Sequence, residues 1–160
     1  MLVVSSEREL PRLDLLLVIS PPRHTETSIV SANIDNLSST QRTILVVDDF
    51  DDTRLLLRTW LQKKGFRVIE AENGVQAIEA AAKNRPNLII MDVEMPELDG
   101  LSATRRIREL ENFESVPIIA VSAYGADQYE DHALAAGCDE YVSTPFEPDE
   151  LEELILSLIK

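Results

Sequence analysis

Short apolar runs alternate with helix-like segments along most of this chain. The apolar runs, which have the length and composition of β-strands, are Thr43–Val47, Phe66–Ala71, Leu88–Met91, Val116–Val121 and Glu140–Ser143. Each is followed by a segment whose apolar residues recur every three or four positions, as in a helix with one buried face. This alternation predicts an α/β fold with a parallel sheet and helices on both faces.

The ends of the predicted helices carry capping residues. Asp51 or Asp52 can cap the first helix, and Gly65 can stop it. Its predicted apolar face consists of Leu56, Leu57, Trp60 and Leu61. Asn73-Gly74 opens the second helix, and Gly137 stops the fourth. The later helices are predicted over residues 74–84, 101–110, 127–136 and 147–159.

Acidic residues stand where two of the apolar runs end. Asp48 and Asp49 follow the first run, and Asp92 follows the third. Since both runs have the pattern of buried parallel strands, these carboxylates are expected at the strand ends where open α/β sheets place their active crevice. Clustered carboxylates repel one another unless a cation joins them, and oxygen ligands suit a hard ion such as Mg²⁺. The pattern indicates phosphoryl chemistry at a carboxylate.

Composition narrows the classes of partner. The chain has 160 residues, 44% of them apolar, and a formal net charge of −14. Such a charge argues against nucleic acids and anionic membrane surfaces as partners. The one cysteine, Cys138, excludes an internal disulfide and is expected to be a small buried thiol. There is no basic secretory signal and no apolar run long enough to span a membrane, so a cytoplasmic location is expected.

Residues 1–41 differ in composition from the rest of the chain. The short apolar stretch Leu13 to Ile19 is followed by Pro21-Pro22 and then by a run rich in Ser, Thr and Asn. This composition predicts a flexible, disordered N-terminal extension ahead of a domain at 42–160. Two alternatives stay open: Leu13 to Ile19 forms a docking strand or helix, or translation begins further along.

Four blocks of the sequence carry a family resemblance. They are Ile44–Asp49, Ile90–Gly100, Val121–Ala123 and Gly137–Phe146. In order and spacing they look like a response-regulator receiver domain of two-component signalling, and the match covers residues 42–160. Four blocks in register are far more specific than a single motif. The resemblance implies a flavodoxin-like, doubly wound sheet of five parallel strands in the order 2-1-3-4-5.

The resemblance also implies roles for the acidic residues. Asp92 would accept a phosphoryl group from a histidine kinase or phosphotransfer protein. Asp49 would bind Mg²⁺ directly and Asp48 partly through water, with Asp92 and the backbone carbonyl of Glu94 completing the ligands. The task of the protein would be mainly positioning, without the turnover of an enzyme.

Further residues receive switching roles by the same resemblance. Ser122 would hydrogen-bond the phosphoryl group, although a serine that ends a strand is otherwise an ordinary turn residue. Tyr141 would turn inward in response, with an ordinary edge-strand aromatic as the lesser alternative. Glu94 and Tyr124 occupy positions that tune hydrolysis of the acyl phosphate.

Thr144 departs from the family pattern. The family has a lysine before this proline, whose ammonium pairs with the acceptor aspartate and then with the phosphoryl group. A threonine hydroxyl donates one neutral hydrogen bond and carries no charge, so Mg²⁺ should matter more and coupling to Ser122 and Tyr141 should weaken. The resemblance also implies a cis peptide between Thr144 and Pro145.

Output is expected through protein contact. The face built by the fourth helix, fifth strand and fifth helix offers Tyr124, Tyr129, His132 and Tyr141 as contact candidates. A phosphorylation-independent interaction module is the main alternative.

Other classes fit less well. A haloacid-dehalogenase-type phosphatase would need a second aspartate where Glu94 stands, and a flavin protein would need a phosphate loop where Asp48 and Asp49 repel phosphate. Histidine-based catalysis is not favoured, because His24 lies in the N-terminal stretch and His132 on a predicted surface helix.

Overall fold

The computed structural model of the protein describes residues 41–159, apart from the side chains of 126–128. The strands are β1 (Thr43–Val47), β2 (Arg67–Ala71), β3 (Leu88–Asp92), β4 (Ile118–Ser122) and β5 (Glu140–Ser143). The helices are α1 (Asp51–Lys63), α2 (Gly74–Asn84), α3 (Gly100–Arg108), α4 (Ala126–Ala136) and α5 (Pro148–Leu158). Residues 1–40, with the predicted extension and its segment Leu13 to Ile19, lie outside this description. No helix of the described part is long and apolar enough to cross a membrane.

The strands form one parallel sheet in the order β2-β1-β3-β4-β5. The predicted flavodoxin-like architecture is therefore confirmed. Val47 pairs with Met91 across β1 and β3, and Asp92 pairs with Val121 across β3 and β4. Because all strands run the same way, the carboxyl ends of β1, β3 and β4 meet at one edge of the sheet.

Apolar layers cover both faces of the sheet. Leu45 packs on one side, in a cluster with residues of α2, α3 and α4. Its neighbour Ile44 packs on the other side, with residues of α1 and α5. Both side chains have no exposed surface. A strand buried on both faces needs apolar residues at every position, which explains the unbroken apolar runs.

The start of α1 differs from the prediction that Asp51 or Asp52 caps it. Phe50 is the N-cap and makes no side-chain capping bond, while Asp51 and Asp52 lie in the first turn. Their charges still favour the positive end of the helix dipole. The turn is closed instead by Asp48, whose Oδ1 accepts a hydrogen bond of 2.8 Å from the Phe50 N–H. A predicted site residue therefore also fixes the local backbone.

The predicted buried face of α1 was wrong for Leu56. Its side chain is 69% exposed, whereas Leu57 and Leu61 are buried against the sheet. Successive helix residues are rotated by about 100°, so Leu56 points away when Leu57 points inward.

Several predicted boundaries shift by one or two residues. The strand β4 begins at Ile118 rather than Val116, because Pro117 has no N–H to donate to the sheet. The strand β2 begins at Arg67, and β3 extends to include Asp92. Helix α3 begins at Gly100 because Asp99 accepts a hydrogen bond of 2.8 Å from the Ser102 N–H and so caps it. It ends at Arg108 rather than Leu110, α4 begins at Ala126, and α5 covers Pro148–Leu158.

Arg108 ties the end of α3 to the loops beneath the sheet. Its guanidinium donates to the carbonyl oxygens of Phe113, Val116 and Gly137 at 2.5–2.8 Å, and it pairs with the Asp139 carboxylate at 2.7 Å. The side chain is 17% exposed. This one cation therefore satisfies three carbonyl oxygens and one carboxylate in a part-buried setting.

We expect Arg108→Met to lower the free energy of unfolding by about 3 kcal/mol, because it leaves part-buried carbonyl oxygens without donors. Urea unfolding followed by circular dichroism measures this change. Arg105→Met is the matched control, since Arg105 is an exposed arginine of the same helix. Equal losses of stability in the two variants would contradict this role for Arg108.

Candidate functional site

The predicted acidic residues meet at the carboxyl edge of the sheet. Asp48 follows β1 directly, and Asp92 is the last residue of β3. Ligand oxygens of Asp48, Asp49 and Asp92 all lie within 4.8 Å of one another. Asp48 and Asp92 line a cavity of about 220 Å³ that also receives Ser122 and Thr144. The three acidic side chains that were expected at the strand ends therefore lie together at one edge of the sheet.

Backbone contacts fix the two strand ends. The Asp48 N–H donates to the Ala71 carbonyl at 3.2 Å, and the Val93 N–H donates to the Val121 carbonyl at 2.9 Å. The Glu94 N–H donates to Asp92 Oδ1 at 3.2 Å. The Asp92 carboxylate is thus held by the backbone of its own loop and faces the open cavity.

Gly100 brings the start of α3 against the backbone of Asp92. A Cβ atom at position 100 would lie 1.9 Å from the Asp92 carbonyl oxygen and 2.9 Å from its carbonyl carbon. Only glycine permits this approach. The Gly100 N–H also donates to the Val93 carbonyl at 3.0 Å, so the loop after β3 is closed on itself.

Burial changes the ionisation of the carboxylates. It raises the pKa of Asp92 to about 7, partly opposed by the Glu94 N–H and reinforced by the charges of Asp48, Asp49 and Glu94. Burial likewise raises the pKa of Asp48, and there the Phe50 N–H and the Arg54 guanidinium act in the opposite direction. In both groups burial is the largest cause, because loss of water contact disfavours the charged form.

Asp49 supplies a further sign that a cation belongs here. Its Oδ1 is a buried side-chain oxygen without a hydrogen-bond partner in the described part of the chain. A buried oxygen of this kind is costly unless it is bound. Three carboxylates with one orphaned oxygen fit a hard divalent cation such as Mg²⁺.

Ser122 and Tyr141 are joined through the loop after β4. The Ser122 Oγ accepts a hydrogen bond of 3.1 Å from the Tyr124 N–H. The Tyr141 hydroxyl donates to the Tyr124 carbonyl at 2.6 Å. Tyr124 also hydrogen-bonds the Glu94 side chain, which raises the pKa of the phenol. Tyr124 therefore contacts three parts of the site: the Ser122 hydroxyl in the cavity, the Glu94 side chain in the loop after β3, and Tyr141 on β5.

The contact candidates named from sequence lie together. The rings of Tyr124 and Tyr129 stack at 4.7 Å, and the His132 ring meets Tyr129 edge-on at 6.1 Å. His132 is thus part of an aromatic group beside the site, whereas His24 lies outside the described residues.

Thr144 borders the cavity as predicted, and the peptide between Thr144 and Pro145 is cis. Its N–H donates to the Ser122 carbonyl at 2.8 Å, and its hydroxyl makes a longer contact of 3.4 Å with the same oxygen. The residues that line the cavity include no lysine or arginine.

Sequence reasoning missed Arg54. This arginine is buried, donates to the Asp48 carbonyl at 2.6 Å and forms an ion pair with Asp51. It thereby holds the backbone that carries Asp48. The sequence offered one indication of this role, because Arg54 follows four acidic residues in the stretch 48–54. Exposed helices show the same pattern, so it does not single out a buried arginine.

Fold and site together define a doubly wound α/β domain. Its carboxylate pocket lies at the carboxyl ends of the strands, where the strand order reverses. A family model described as the response regulator receiver domain matches residues 44–156. The chain therefore belongs to the receiver-domain family of two-component response regulators.

Individual relatives agree with this assignment. The chain is 38% identical to the chemotaxis protein CheY of Bacillus subtilis over 113 residues, which is 70% of this chain and 92% of that protein. It is 30% identical to the polar-differentiation response regulator DivK of Brucella anthropi over 118 residues, covering 74% and 96%. The receiver domain of sensor histidine kinase PA1611 from Pseudomonas aeruginosa, solved with magnesium in its active-site cleft, is similar with a TM-score of 0.70. That match has 36% identity and covers 75% of this chain and 98% of the other.

The raised pKa of Asp92 predicts a pH-dependent effect of Asp92→Asn. Below about pH 4 the carboxyl is protonated in both folded and unfolded chains and contributes nothing. As the pH rises to about 7, the unfolded chain ionises Asp92 while the folded one does not, so wild-type stability falls. We expect the stability advantage of Asp92→Asn to grow over this window and then level off, in urea titrations without divalent cations. Parallel pH profiles for the two proteins would refute the shift.

Gly100→Ala tests the close approach at Asp92. The added methyl must displace the Asp92 carbonyl, so we expect a loss of about 2 kcal/mol of unfolding free energy and weaker Mg²⁺ binding. Gly125→Ala is the control, because a Cβ there meets no atom within 4 Å. Thermal unfolding with and without Mg²⁺ gives both quantities, and wild-type values for Gly100→Ala would contradict the argument.

Proposed function

We propose that residues 42–160 form a receiver domain in which Asp92 accepts a phosphoryl group and passes the signal on by protein contact. The observation that carries this proposal is the convergence of Asp48, Asp49 and Asp92 within 4.8 Å at the carboxyl edge of the sheet. Asp92 faces a cavity of about 220 Å³ beside Ser122, which leaves room for a transferred group.

Asp48, Asp49, Asp92 and the backbone carbonyl of Glu94 would hold Mg²⁺. When bound, the ion supplies positive charge for the oxygens of the transferred group. The orphaned Oδ1 of Asp49 and the raised pKa of Asp92 both support a cation at this place.

The chemistry of Asp92 is a displacement at phosphorus. One carboxylate oxygen forms a bond to phosphorus while the bond from phosphorus to the donor nitrogen of a phosphohistidine breaks, and the electron pair stays with the histidine. The Glu94 N–H holds the other carboxylate oxygen, Oδ1, at 3.2 Å and so orients the attacking one. In this step Asp92 is itself modified, which makes it a phosphoryl acceptor and not a turnover catalyst.

Ser122 and Tyr141 would report the modification. The Ser122 hydroxyl already accepts from the Tyr124 N–H and can donate its own proton to a phosphoryl oxygen. Tyr141 is bound to the same loop residue at 2.6 Å. A change at Ser122 therefore reaches the aromatic group of Tyr124, Tyr129 and His132 on the surface of the domain.

The donor would be a histidine kinase or phosphotransfer protein, and the output a protein that binds the face of α4, β5 and α5. Each of these two helices carries an exposed leucine, Leu134 in α4 and Leu156 in α5, which supports a protein partner. A cytoplasmic setting is proposed with it, as the family expectation and the single buried thiol suggest.

One observation favours a second candidate, a receiver that signals by constitutive contact. The cavity carries no lysine or arginine, and Thr144 stands where the family has its lysine. Without a lysine ammonium to bind the phosphoryl group, the phosphorylated and unphosphorylated domains would differ less in their contacts.

Phosphorylation with phosphoramidate or acetyl phosphate in Mg²⁺ decides between the two candidates. We expect intact mass spectrometry to show the gain of one phosphoryl group, lost on chelation of the metal and absent in Asp92→Asn. Asp99→Asn is a matched control, because Asp99 caps α3 at the surface. No mass gain in a chain that binds Mg²⁺ would replace the acceptor function with the constitutive one.

A further inference from the structure

An apolar cleft adjoins the acidic cavity. It has a volume of about 300 Å³ and lies between α1 and the loop from β5 to α5. Its apolar walls are formed by Leu56, Leu57, Trp60, Pro145, Phe146 and Pro148. No acidic or basic side chain lines it. A site of this kind takes aliphatic or aromatic carbon.

The cleft and the acidic cavity share one boundary. Thr53, Leu57, Thr144 and Phe146 line both of them. Thr144, which is short and exposed, is one of these shared residues. Considered as one combined space, the two are apolar at one end and face the carboxylates of Asp48 and Asp92 at the other.

The charges at the acidic end do not balance. Asp48, Asp49 and Asp92 contribute three negative charges, and a divalent cation, which is part of the proposed function, compensates two of them. A phosphoryl group on Asp92 would add more negative charge. Three cations of α1 and its C-cap are already engaged: Arg54 with the Asp48 carbonyl and Asp51, Arg58 with Glu70 at 2.7 Å, and the C-cap residue Lys64 with Glu152 at 2.5 Å.

The rim of the combined space is suited to a protein partner. Leu56, which lines the cleft, is 69% exposed, and Phe50, which lines the acidic cavity, is 67% exposed. Large apolar side chains that are exposed around a cavity mark a surface that is buried on association. The missing positive charge can therefore be supplied by a side chain of the protein that covers Asp92.

We propose that the cleft receives a lysine side chain of the protein that docks over Asp92, with the ammonium group beside Thr144 and facing the Asp92 carboxylate. This inference rests on the proposed function, because the docking protein is the phosphoryl donor. The aliphatic stem lies against Leu57, Trp60 and Phe146, as lysine stems do on apolar surfaces. The ammonium donates to Asp92 and to the Thr144 hydroxyl, and its compact charge suits a carboxylate whose Oδ1 already accepts a hydrogen bond from the Glu94 N–H.

Direct binding is measured through Trp60, the one tryptophan of the chain, with n-butylammonium as the probe in the presence of Mg²⁺. We expect a saturable change in Trp60 fluorescence with a Kd in the millimolar range. n-Butanol at the same concentration should produce no such change, since it has the stem without the charge. No saturable change, or the same change with n-butanol, would overturn the inference.

Two variants test the location. Thr144→Lys places an ammonium from within the chain at the same point and should abolish the response to n-butylammonium. Leu56→Ala removes an exposed part of the cleft wall and should weaken binding several-fold while the domain stays folded. An unchanged response in both variants would place the probe elsewhere and overturn the inference. Tighter binding of n-butylguanidinium would overturn lysine in favour of arginine.

The rate of phosphorylation by phosphoramidate separates this inference from the proposed function. With saturating n-butylammonium we expect a gain on the order of tenfold, the effect of one charge-assisted hydrogen bond, and no gain in Thr144→Lys. Phosphorylation of Asp92 at a rate that n-butylammonium does not change would overturn the ammonium site and leave the proposed function intact. A Trp60 response in a chain that is never phosphorylated would support the ammonium site and refute the acceptor function.

Discussion

Electrostatic repulsion among three carboxylates is the constraint on which the rest of this structure depends. Oxygens of Asp48, Asp49 and Asp92 lie within 4.8 Å of one another, where two unit charges repel by about 4 kcal/mol at an effective dielectric constant of 20. The core opposes this repulsion, because β1 and β3 are buried on both faces of the sheet. Parallel pairing brings their carboxyl ends to one edge. The apolar runs that build the core thus also impose the acidic cluster, and a divalent cation bound there would relieve the repulsion.

The sequence was sufficient for the parts that depend on patterns within one segment. Unbroken apolar runs such as Ile44–Val47 specify two-sided strands, and strand alternation with helices specifies a parallel sheet. From that topology alone Asp48 and Asp92 had to meet, and they do. Gly137 ends α4 with a φ of 103°, as its place after an apolar helical segment predicted. Local signals therefore determined the fold and the acidic half of the site.

Features that depend on contacts between distant segments were not predictable in the same way. Arg54 acts on Asp48 because the turn between them folds back, and nothing in its own helix pattern distinguishes it from an exposed arginine. Leu56 was assigned to the buried face because a rotation of about 100° cannot be resolved in a run of consecutive leucines. The apolar cleft joins Trp60 to Phe146, which are 86 positions apart in the chain. Thr144 lines both this cleft and the acidic cavity, whereas the sequence pattern presents it only as a lost positive charge.

The hydrogen bonds of Tyr124 explain how a change at the site can reach the surface without a long pathway. Its N–H donates to the Ser122 hydroxyl, its carbonyl accepts from Tyr141, and its phenol binds Glu94. If the Ser122 oxygen turns toward a ligand in the cavity, the Tyr124 N–H loses its acceptor, and an unpaired backbone donor must find water or another partner. Tyr124 stacks on Tyr129, so any such adjustment moves exposed aromatic surface. One loop residue is sufficient to join the chemistry of the cavity to the contact face.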